Sequence, residues 1–558
     1  MNYKQEYDRW LNCEIDEGLL SELNSMGEKE IEDSFCCNLT FGTGGLRGVI
    51  GAGTNRINIY TVAKASQGLA NYVLKEYGET QSIAIAYDTR IKSDLFSETA
   101  AEVFAANGIK TYIFLEPMPT PCLSYAVREL GCSAGIVITA SHNPSNYNGY
   151  KVYGWDGCQI TTEAASAVQE QINKVDIFND VKSMPFDDAV KSALIEYIPE
   201  SIFASYVEEV KAQSVLFGDD IDRDVSIVYS PLNGTGLKPV IETLNGAGFN
   251  NITVVEEQVR PDGNFTTCPY PNPEEKEAME LGIRYCEENN GDLLLATDPD
   301  ADRCGIAVRF DEGYKLLTGN EVGLLLLDYV CSQRTKHSKM PEKPVFIKTI
   351  VTSDLGEKIA GYYGVETVNL LTGFKYIGEF IGALEQEGRK NDFICGFEES
   401  YGYLTGTYVR DKDAINAALM ISEMVAFYKK RGMNLIDKLE EIYRLYGYNL
   451  NTLYNYAFEG SEGMGKMQTI MSRMREGVDV IGGLKVQKVL DYIEGIDGLP
   501  KSDAIKYLLE DGSSVVIRPS GTEPKLKVYI SVAGDNKEDA HFNEEQIKIT
   551  IESLVKCS

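Results

Sequence analysis

The order of apolar and polar residues predicts the same unit three times in the first three quarters of the chain. Each unit has a β-branched apolar run, a segment with helical periodicity, a glycine and a second apolar run. The first runs are IAIAYDTR (83–90), VSIVYSPLNG (225–234) and VFIKTIVTSD (345–354). Because apolar strands alternate with helices, each unit predicts a small α/β domain whose mostly parallel sheet is covered on both faces.

A third apolar strand in each unit ends at a polar loop. These strands are GIVIT (135–139), DLLLAT (292–297) and DFIC (392–395), and the loops after them are ASHNPSNYNGYK, DPDADR and GFEESYG. Ligands of open α/β sheets bind beyond the carboxyl ends of strands. The three loops therefore predict one cleft shared between the domains.

The pattern changes after about Asn449, where several short apolar runs are separated by turn residues. Runs such as KYLLEDGSSVVIRPSGTEPKLKVYISV predict an antiparallel sheet with helices on one face. The amphipathic segment 434–447 predicts a solvated helix that connects to this part. The predicted fold is α/β, with three similar α/β domains, mixed and mostly parallel sheets, and a C-terminal α+β domain around a central cleft. The predicted domains are 1–197, 198–312, 313–446 and 447–558.

Composition excludes several classes of protein. With 53 Lys and Arg against 84 Asp and Glu, the net charge of -31 excludes nucleic-acid and acidic-membrane partners, since no local basic stripe opposes it. The twelve cysteines have no CxxC spacing, so neither a disulfide framework nor a zinc site is indicated. The first residues have no apolar core of signal-peptide type and no apolar run approaches the length of a membrane span, so we expect neither a signal peptide nor a membrane-spanning segment. We expect a cytoplasmic protein, and the sequence leaves open whether it is a monomer or a dimer.

The loop DPDADR is the most specific candidate site. It places Asp298, Asp300 and Asp302 at alternate positions, where three carboxylates repel one another unless a cation, here Mg²⁺, is bound. An EF-hand requires glycine and glutamate where this chain has Arg303 and Arg309. A haloacid-dehalogenase-type phosphatase also begins with Asp-x-Asp, but Asp302 departs from that pattern. A solvated acidic turn stays open as the alternative.

The first loop carries a serine, Ser141, beside His142. A free hydroxyl is a weak nucleophile and requires a neighbouring base or a metal. Lys151, ten positions on, is a cation that could stabilise a phosphoryl group or exchange a proton. We expect the His142 side chain to point away from its neighbour. An ordinary helix cap by Ser141 stays open as the alternative.

The remaining polar segments suggest an anionic sugar as ligand. RPSGTEPK (518–525) offers a guanidinium, two hydroxyls and a glycine for a phosphate, with a plain β-turn as the alternative. GFEES (396–400) offers two carboxylates and a hydroxyl for sugar hydroxyls, with a surface turn as the alternative. FGTGGLRG (41–48) lacks the GxGxxG spacing after a strand, yet Arg47 is a candidate anion contact.

These motifs together resemble those of the α-D-phosphohexomutases, over nearly the whole chain. In the order of that family, they are TASHNP (139–144), DPDADR (298–303), GFEES (396–400) and RPSGTEP (518–524). GTGGLRG, TGFK (372–375) and RDKDA (410–414) look like further segments of the family. The resemblance implies four domains around one deep cleft.

The resemblance also implies a mechanism. Ser141 would be phosphorylated in the active enzyme, and Mg²⁺ would be held by Asp298, Asp300, Asp302 and an oxygen of that phosphoserine. The phosphoserine would give its phosphoryl group to a sugar monophosphate, and the resulting bisphosphate would turn around and return its other phosphate. This account requires the hydroxyl of Ser141 to lie within a metal's reach of the three aspartates.

Other positions match the family's functional residues. Arg47, Lys151 and Lys412 match positions near the reacting phosphate, and general acid and base work would fall among these and His142. The positions that match substrate contacts are Arg303, Thr372, Lys375, Glu398, Ser400, Arg518, Ser520, Gly521 and Thr522.

The segments SNYNGYKVY, GFEESYGY and TGFK look closest to the branch that contains phosphoglucomutases and phosphopentomutase-like enzymes. We expect interconversion of α-D-glucose 1-phosphate and glucose 6-phosphate, with Mg²⁺ as cofactor and glucose 1,6-bisphosphate as activator. Phosphopentomutase, phosphomannomutase and glucose-1,6-bisphosphate synthase activities on the same scaffold stay open. A catalytically silent sugar-phosphate sensor is the alternative from outside the enzymes.

Overall fold

The structure is a computed structural model that describes residues 2–42, 44–458, 463–496, 498–520 and 525–556. The chain divides into two compact units. Unit one contains residues 1–317, 377–393 and 402–430, and unit two contains residues 318–376, 394–401 and 431–558. Among the described residues, no helix combines the length and the apolar character that crossing a membrane requires.

The first sheet of unit one has six strands in the order β1-β5-β4-β2-β3-β6. They are β1 (Gly45–Val49), β2 (Ser82–Tyr87), β3 (Lys110–Ile113), β4 (Ala134–Ile138), β5 (Tyr147–Gly154) and β6 (Ile195–Tyr197). Strands β2, β3, β4 and β6 are parallel, and β5 runs antiparallel to β1 and β4. The predicted loop ASHNPSNYNGYK is therefore too long, because its second half pairs with strands on both sides. Lys151 lies on β5.

Eight helices precede, connect or follow these strands. They are α1 (Tyr3–Asn12), α2 (Glu17–Ser25), α3 (Glu28–Phe35), α4 (Ile59–Tyr77), α5 (Ser93–Ala106), α6 (Thr120–Glu129), α7 (Thr162–Lys174) and α8 (Phe186–Lys191). Helix α4 begins with a capping box, in which Asn58 and Thr61 each accept the other's backbone amide. Apolar residues then recur at helical spacing, and the buried ones pack in one core with β2 and β4.

The second sheet of unit one has the strand order β11-β10-β9-β7-β8. Its strands are β7 (Ile227–Ser230), β8 (Ile252–Val254), β9 (Leu293–Thr297), β10 (Cys304–Phe310) and β11 (Gly313–Leu317), with helices α9 (Glu200–Lys211), α10 (Leu237–Gly246) and α11 (Lys276–Asn289). Strands β7, β8 and β9 are parallel, whereas β10 is antiparallel to both β9 and β11. The predicted boundary at 312 falls inside this sheet, because a tight turn at Asp311 (φ 50°) joins β10 to β11.

The third part of the chain again alternates strands and helices. Its elements are α12 (Gly319–Lys336), β12 (Val345–Thr349), α13 (Leu355–Tyr362), β13 (Glu366–Leu370), α14 (Phe374–Gln386), β14 (Phe393–Glu398), β15 (Gly402–Leu404), α15 (Ala414–Lys429) and α16 (Leu435–Tyr446). Strands β12 and β13 are parallel. Because β14 continues to Glu398, half of the predicted loop GFEES is strand. The expected solvated linker is wrong, since α16 buries an apolar face and packs against α12 and α13.

The C-terminal part of unit two is an antiparallel sheet with two helices, as predicted. Its elements are β16 (Tyr448–Ala457), α17 (Gly463–Glu476), β17 (Val480–Ile481), β18 (Leu484–Asp491), β19 (Ile505–Leu509), β20 (Ser514–Pro519), β21 (Lys525–Gly534) and α18 (Lys537–Lys556). Ile350 and Val351, which follow β12, pack against Val516 and Tyr529 of this sheet. The predicted fold class is confirmed for the sheets and helices of each unit.

Candidate active site

The hydroxyl of Ser141 meets the aspartate loop inside unit one. Ser141 Oγ donates a hydrogen bond to Asp298 Oδ2 at 2.7 Å, across 157 positions of sequence. Both side chains are buried. The polar loops after β4 and β9 therefore lie together, as the mechanism implied by the family resemblance requires.

Ser141 has an unusual backbone conformation. Its φ of 52° lies in the left-handed region, which costs a residue with a side chain roughly 1–2 kcal/mol. The Ser141 amide donates to Thr139 Oγ1 at 2.8 Å. The turn also places Ser141 Oγ 3.2 Å from Nδ1 of His142. The expectation that His142 points away is wrong, because the chain here leaves the extended geometry in which adjacent side chains alternate.

The three aspartates of the second loop form a compact buried cluster. One carboxylate oxygen from each lies within 4.8 Å of the other two. The backbone amides of Asp302 and Arg303 donate to Asp298 Oδ1 at 3.1 and 3.0 Å. Within the part of the chain that the structure describes, Asp300 Oδ1 and Asp302 Oδ1 are buried and accept no hydrogen bond. Buried carboxylate oxygens without donors fit a hard divalent cation such as Mg²⁺.

Two lysines contact the same cluster. Lys151 Nζ lies 2.6 Å from Asp300 Oδ2 and 3.2 Å from Asp302 Oδ2, and Lys412 Nζ lies 3.0 Å from Asp302 Oδ2. Burial lowers the pKa of Lys151, but the two carboxylates outweigh it and the pKa is raised. Burial and Asp300 raise the pKa of Asp302, yet the lysines and Arg303 hold it below its ordinary value. Lys151 and Asp302 are therefore both charged.

The same surroundings shift the pKa of Asp298 and the pKa of His142 in opposite directions. Burial, followed by the charges of Asp300 and Asp302, raises the pKa of Asp298 well above its ordinary value. Burial and the nearby cations of Arg303 and Arg47 lower the pKa of His142 well below its ordinary value. His142 is thus a neutral imidazole beside Ser141.

Two arginines predicted for the site are also present in unit one. Arg47 lies on β1 opposite Gly149 of β5, and its Nη1 donates to Asn143 Oδ1 at 3.0 Å. Arg303 follows the last aspartate, and its guanidinium donates to the carboxylate of Glu274. Because β5 lies between β1 and β4, the sheet brings Arg47 and the serine loop together.

The predicted sugar-binding segments adjoin one another within unit two. Glu398 ends β14, is buried, and accepts the backbone amide of Gly373 at 2.9 Å. Thr372 precedes that glycine, and Lys375 follows it with Nζ 5.1 Å from the ring centroid of Tyr376. Ser400, two residues after Glu398, is half-buried. A carboxylate and a hydroxyl thus lie near the TGFK turn.

The predicted phosphate segment joins β20 to β21 in unit two. The two strands pair as far as Pro519 and Leu526, and the Ser520 amide donates to the Lys525 carbonyl at 2.7 Å. Arg518 is half-buried at the end of β20. Gly521 and Thr522 lie outside the described residues.

Two residues that were not predicted also contact this group. Thr120 Oγ1 donates to Asp300 Oδ2 at 2.9 Å, and the guanidinium of Arg90 donates to the backbone carbonyl of Ser141. The sequence does contain a pattern that could have indicated Arg90, because the polar triplet DTR lies at the carboxyl end of β2, next to β4. Thr120 carried a weaker one, as the N-terminal residue of a helix.

Comparison with known proteins identifies the family. Four family descriptions match successive parts of the chain. "Phosphoglucomutase/phosphomannomutase, alpha/beta/alpha domain I" matches residues 38–177, "domain II" matches 204–310, "domain III" matches 318–446 and "C-terminal domain" matches 472–548. The chain belongs to the phosphoglucomutase/phosphomannomutase family. A phosphoglucomutase of Staphylococcus haemolyticus is 36% identical over 548 residues, which cover 95% of this chain and 97% of that protein. One of Staphylococcus saprophyticus is 38% identical over 541 residues, which cover 94% and 96%.

Solved structures show the same fold. A family protein of Burkholderia thailandensis superposes with a TM-score of 0.68 at 17% identity, over 92% of this chain and 97% of that one. Parafusin of Paramecium, a phosphoglucomutase, superposes with a TM-score of 0.70 at 17% identity, over 93% and 96%. The family match and the phosphoglucomutase relatives together show that the chain is a phosphohexomutase enzyme.

Proposed function

We propose that this enzyme interconverts α-D-glucose 1-phosphate and glucose 6-phosphate through a phosphorylated Ser141. The observation that carries the proposal is the 2.7 Å contact between Ser141 Oγ and Asp298 Oδ2 in a buried acidic cluster. The names of the Staphylococcus relatives support glucose as the sugar. We also propose four functional domains, with the second extended to include β11.

The acidic cluster is the proposed metal site. Asp298, Asp300, Asp302 and an oxygen of phosphorylated Ser141 would hold Mg²⁺. When bound, the ion would supply electrostatic stabilisation of the charge on the transferring phosphoryl group. Lys151, Lys412 and Arg47 add positive charge, which is how proteins promote most phosphoryl transfer.

The proposed reaction consists of two transfers that use the same serine. In the first, a sugar hydroxyl oxygen bonds to phosphorus, the bond from phosphorus to Ser141 Oγ breaks, the hydroxyl proton passes to a protein base, and Ser141 Oγ takes up a proton. In the second, after the bisphosphate has turned around, Ser141 Oγ loses its proton and bonds to the other phosphorus, the bond from that phosphorus to the sugar oxygen breaks, and that oxygen takes up a proton as the product leaves. His142, Lys151, Arg47 and Lys412 share the proton transfers. Glucose 1,6-bisphosphate activates the enzyme by phosphorylating Ser141.

The remaining predicted residues are proposed to bind the substrate. Glu398 and Ser400 accept and donate hydrogen bonds to sugar hydroxyls, and Thr372 and Lys375 contact the substrate near them. Arg303 is a further proposed substrate contact. The phosphate that is not reacting is held by Arg518, Ser520, Gly521 and Thr522. The buried position of Glu398 beside the TGFK turn supports the first of these roles.

The decisive variant is Ser141→Ala, and Ser145→Ala in the same loop is its matched control. We expect the first to lower turnover of glucose 1-phosphate at least about a thousandfold and the second to change it less than about threefold. Glucose 1,6-bisphosphate should add one phosphoryl group to the wild type, read by intact mass, and none to Ser141→Ala. Full turnover by Ser141→Ala would reject the proposal. Higher rates on ribose or mannose 1-phosphate would reassign the sugar.

A further inference from the structure

Arg90 is a buried arginine whose guanidinium faces the serine loop. Its Nη1 donates to the carbonyls of Pro144 at 2.9 Å and of Tyr147 at 3.1 Å. Its Nη2 donates to the carbonyls of Ser141 and Asn143. One side chain therefore holds four carbonyl groups of the loop that carries the reactive hydroxyl.

The guanidinium is itself held by a buried carboxylate. Arg90 Nε lies 3.3 Å from Asp88 Oδ2, and both side chains are shielded from solvent. The same Asp88 oxygen accepts the Thr139 hydroxyl at 2.6 Å, and Thr139 Oγ1 in turn accepts the Ser141 amide. Asp88 thus fixes both backbone groups of Ser141, because it holds Thr139, which accepts the Ser141 amide, and Arg90, which donates to the Ser141 carbonyl.

The same arginine also contacts the segment that precedes the aspartate loop. Its guanidinium carbon lies 4.9 Å from the ring centroid of Phe265. Beside it, the Thr89 hydroxyl donates to the Asn233 carbonyl at 2.8 Å. A Cβ added at Gly263 would come within 2.7 Å of the Ile91 amide nitrogen, so these segments are closely packed. Arg90 therefore joins the serine loop to the part of unit one that carries the aspartates.

We propose that Arg90, held by Asp88 and Phe265, is a positioning residue for phosphoryl transfer. It keeps Ser141 in its left-handed conformation and keeps the hydroxyl beside the aspartate loop. This inference rests on the proposed function of Ser141. A planar guanidinium presents five donors in a fixed fork, whereas an ammonium presents three donors from one atom, so lysine cannot replace these contacts.

The test compares Arg90→Lys with Arg56→Lys. Arg56 lies in the same unit and also donates to two backbone carbonyls, those of Asp33 and Asn55, and both variants keep the charge. Phosphorylation of Ser141 by glucose 1,6-bisphosphate is followed by intact mass in a single turnover. We expect Arg90→Lys to be about 100-fold slower, since a misplacement of about 1 Å has an effect of that size. Arg56→Lys should stay within about twofold of wild type.

A KM measurement separates positioning from general damage. We expect Arg90→Lys to lower kcat while KM for glucose 1-phosphate changes less than about threefold, since the proposed sugar contacts are on other residues. Phe265→Leu keeps the four carbonyl contacts and removes only the ring, and it should slow the same single turnover about threefold to tenfold. This variant keeps the test valid if Arg90→Lys does not fold.

The outcomes are distinguishable. Phosphorylation of Arg90→Lys at the wild-type rate overturns the inference, and so does a rate loss matched by the same loss in Arg56→Lys. If Arg90→Lys is unfolded, a wild-type rate in Phe265→Leu overturns it. A wild type that takes up no phosphate rejects the proposed function of Ser141 and this inference with it.

Discussion

Thr120 contacts Asp300 twice. Its backbone amide donates to the Asp300 carbonyl at 2.9 Å, and its hydroxyl donates to Oδ2 at 2.9 Å. Thr120 is the first residue of α6, and the N-terminus of a helix favours a nearby negative charge. Because Oδ2 also accepts from Lys151, the Asp300 carboxylate is oriented with Oδ1 left for a cation.

The first prediction concerns Thr120→Val, which removes the hydroxyl and keeps the shape. A hydrogen bond to a charged group contributes about 1.5–3 kcal/mol, so we expect the apparent affinity for Mg²⁺ to fall roughly tenfold or more. The measurement is activity as a function of Mg²⁺ concentration. Thr99→Val is the control, since that hydroxyl donates only to a carbonyl of its own helix. Equal Mg²⁺ dependence in the two variants would contradict the expected role.

The second prediction is that the protein stays folded when the proposed Mg²⁺ is removed. Lys151 and Lys412 already neutralise Asp300 and Asp302, so repulsion among the carboxylates is limited. We expect a chelator to abolish turnover but to lower Tm by less than about 10 °C. The change in Tm is limited because a ligand at about 100 times its Kd stabilises the folded state only to that extent. An activity assay measures the loss of turnover, and circular dichroism with thermal scans measures the change in Tm.

A variant sharpens this second prediction. Lys151→Met removes one of the two neutralising charges, so the difference in Tm between Mg²⁺ and chelator should widen. If the chelated wild type loses its secondary structure at room temperature, the lysines do not have the stabilising role inferred from their ion pairs.

The sequence predicted the strands and motifs that depend on local pattern. Apolar runs such as β9 and the alternating aspartates after it are visible within ten residues of chain, which is why Asp298, Asp300 and Asp302 were found together. The order of the four motifs along the chain then indicated the family. Residue type and spacing were sufficient for these features.

Features that depend on pairing across long stretches of chain were missed. The segment that became β5 contains Asn148 and Gly149, which are poor strand formers, and it is a strand because β1 and β4 pair with both its edges. Thr120 is an ordinary helix start until folding places it beside Asp300. The orientation of His142 follows from a single left-handed residue, Ser141, which no sequence pattern indicates.

The third prediction concerns Glu398→Gln. The amide oxygen of glutamine can still accept from Gly373, so the TGFK turn should be retained. The proposed charged acceptor for a sugar hydroxyl is lost, and charge-assisted hydrogen bonds are about twice as strong as neutral ones. We expect KM for glucose 1-phosphate to rise about fivefold to tenfold, a loss of about 1–1.4 kcal/mol, with Tm changed by less than about 2 °C.

The neighbouring variant Glu399→Gln is the control for this third prediction. Both residues lie in the GFEES segment, but Glu398 is buried and Glu399 is half-buried. Initial rates across a range of glucose 1-phosphate concentrations give KM for each variant. Equal increases in KM would show that Glu398 has no specific contact with the sugar.

The fourth prediction concerns a buried ion cluster in unit two. Asp354 Oδ1 accepts from Lys348 Nζ at 2.7 Å and from Lys506 Nζ at 2.8 Å, and Oδ2 accepts the Ser514 hydroxyl at 2.7 Å. Burial by itself would raise the pKa of Asp354, but the two ammonium groups hold it well below its ordinary value. The cluster joins the end of β12 to β19 and β20.

The pH dependence of stability follows from that lowered pKa. A carboxylate whose pKa is lower in the folded state stabilises the protein above its unfolded pKa, near about 4, and this stabilisation is lost as the pH falls toward the folded pKa. Asp354→Asn removes the carboxylate that the two buried ammonium groups share, and breaking a buried ion pair in this way costs about 3–5 kcal/mol. Lys348 keeps a second carboxylate, Glu357 Oε1, at 3.4 Å. We therefore expect Tm at pH 7 to fall by roughly 6–12 °C.

The decisive measurement is the difference in Tm between wild type and Asp354→Asn from pH 7 down to about pH 3. It should be constant above about pH 5 and shrink below about pH 4, because the Asp354 carboxylate of the unfolded wild type then takes up a proton while the folded one stays charged. Glu494→Gln is the control, since its ion pair with Lys501 is largely exposed and its removal should change Tm by less than about 2 °C. A difference that stays constant down to pH 3 would mean that Asp354 stabilises unit two by its shape and hydrogen bonds rather than by its charge.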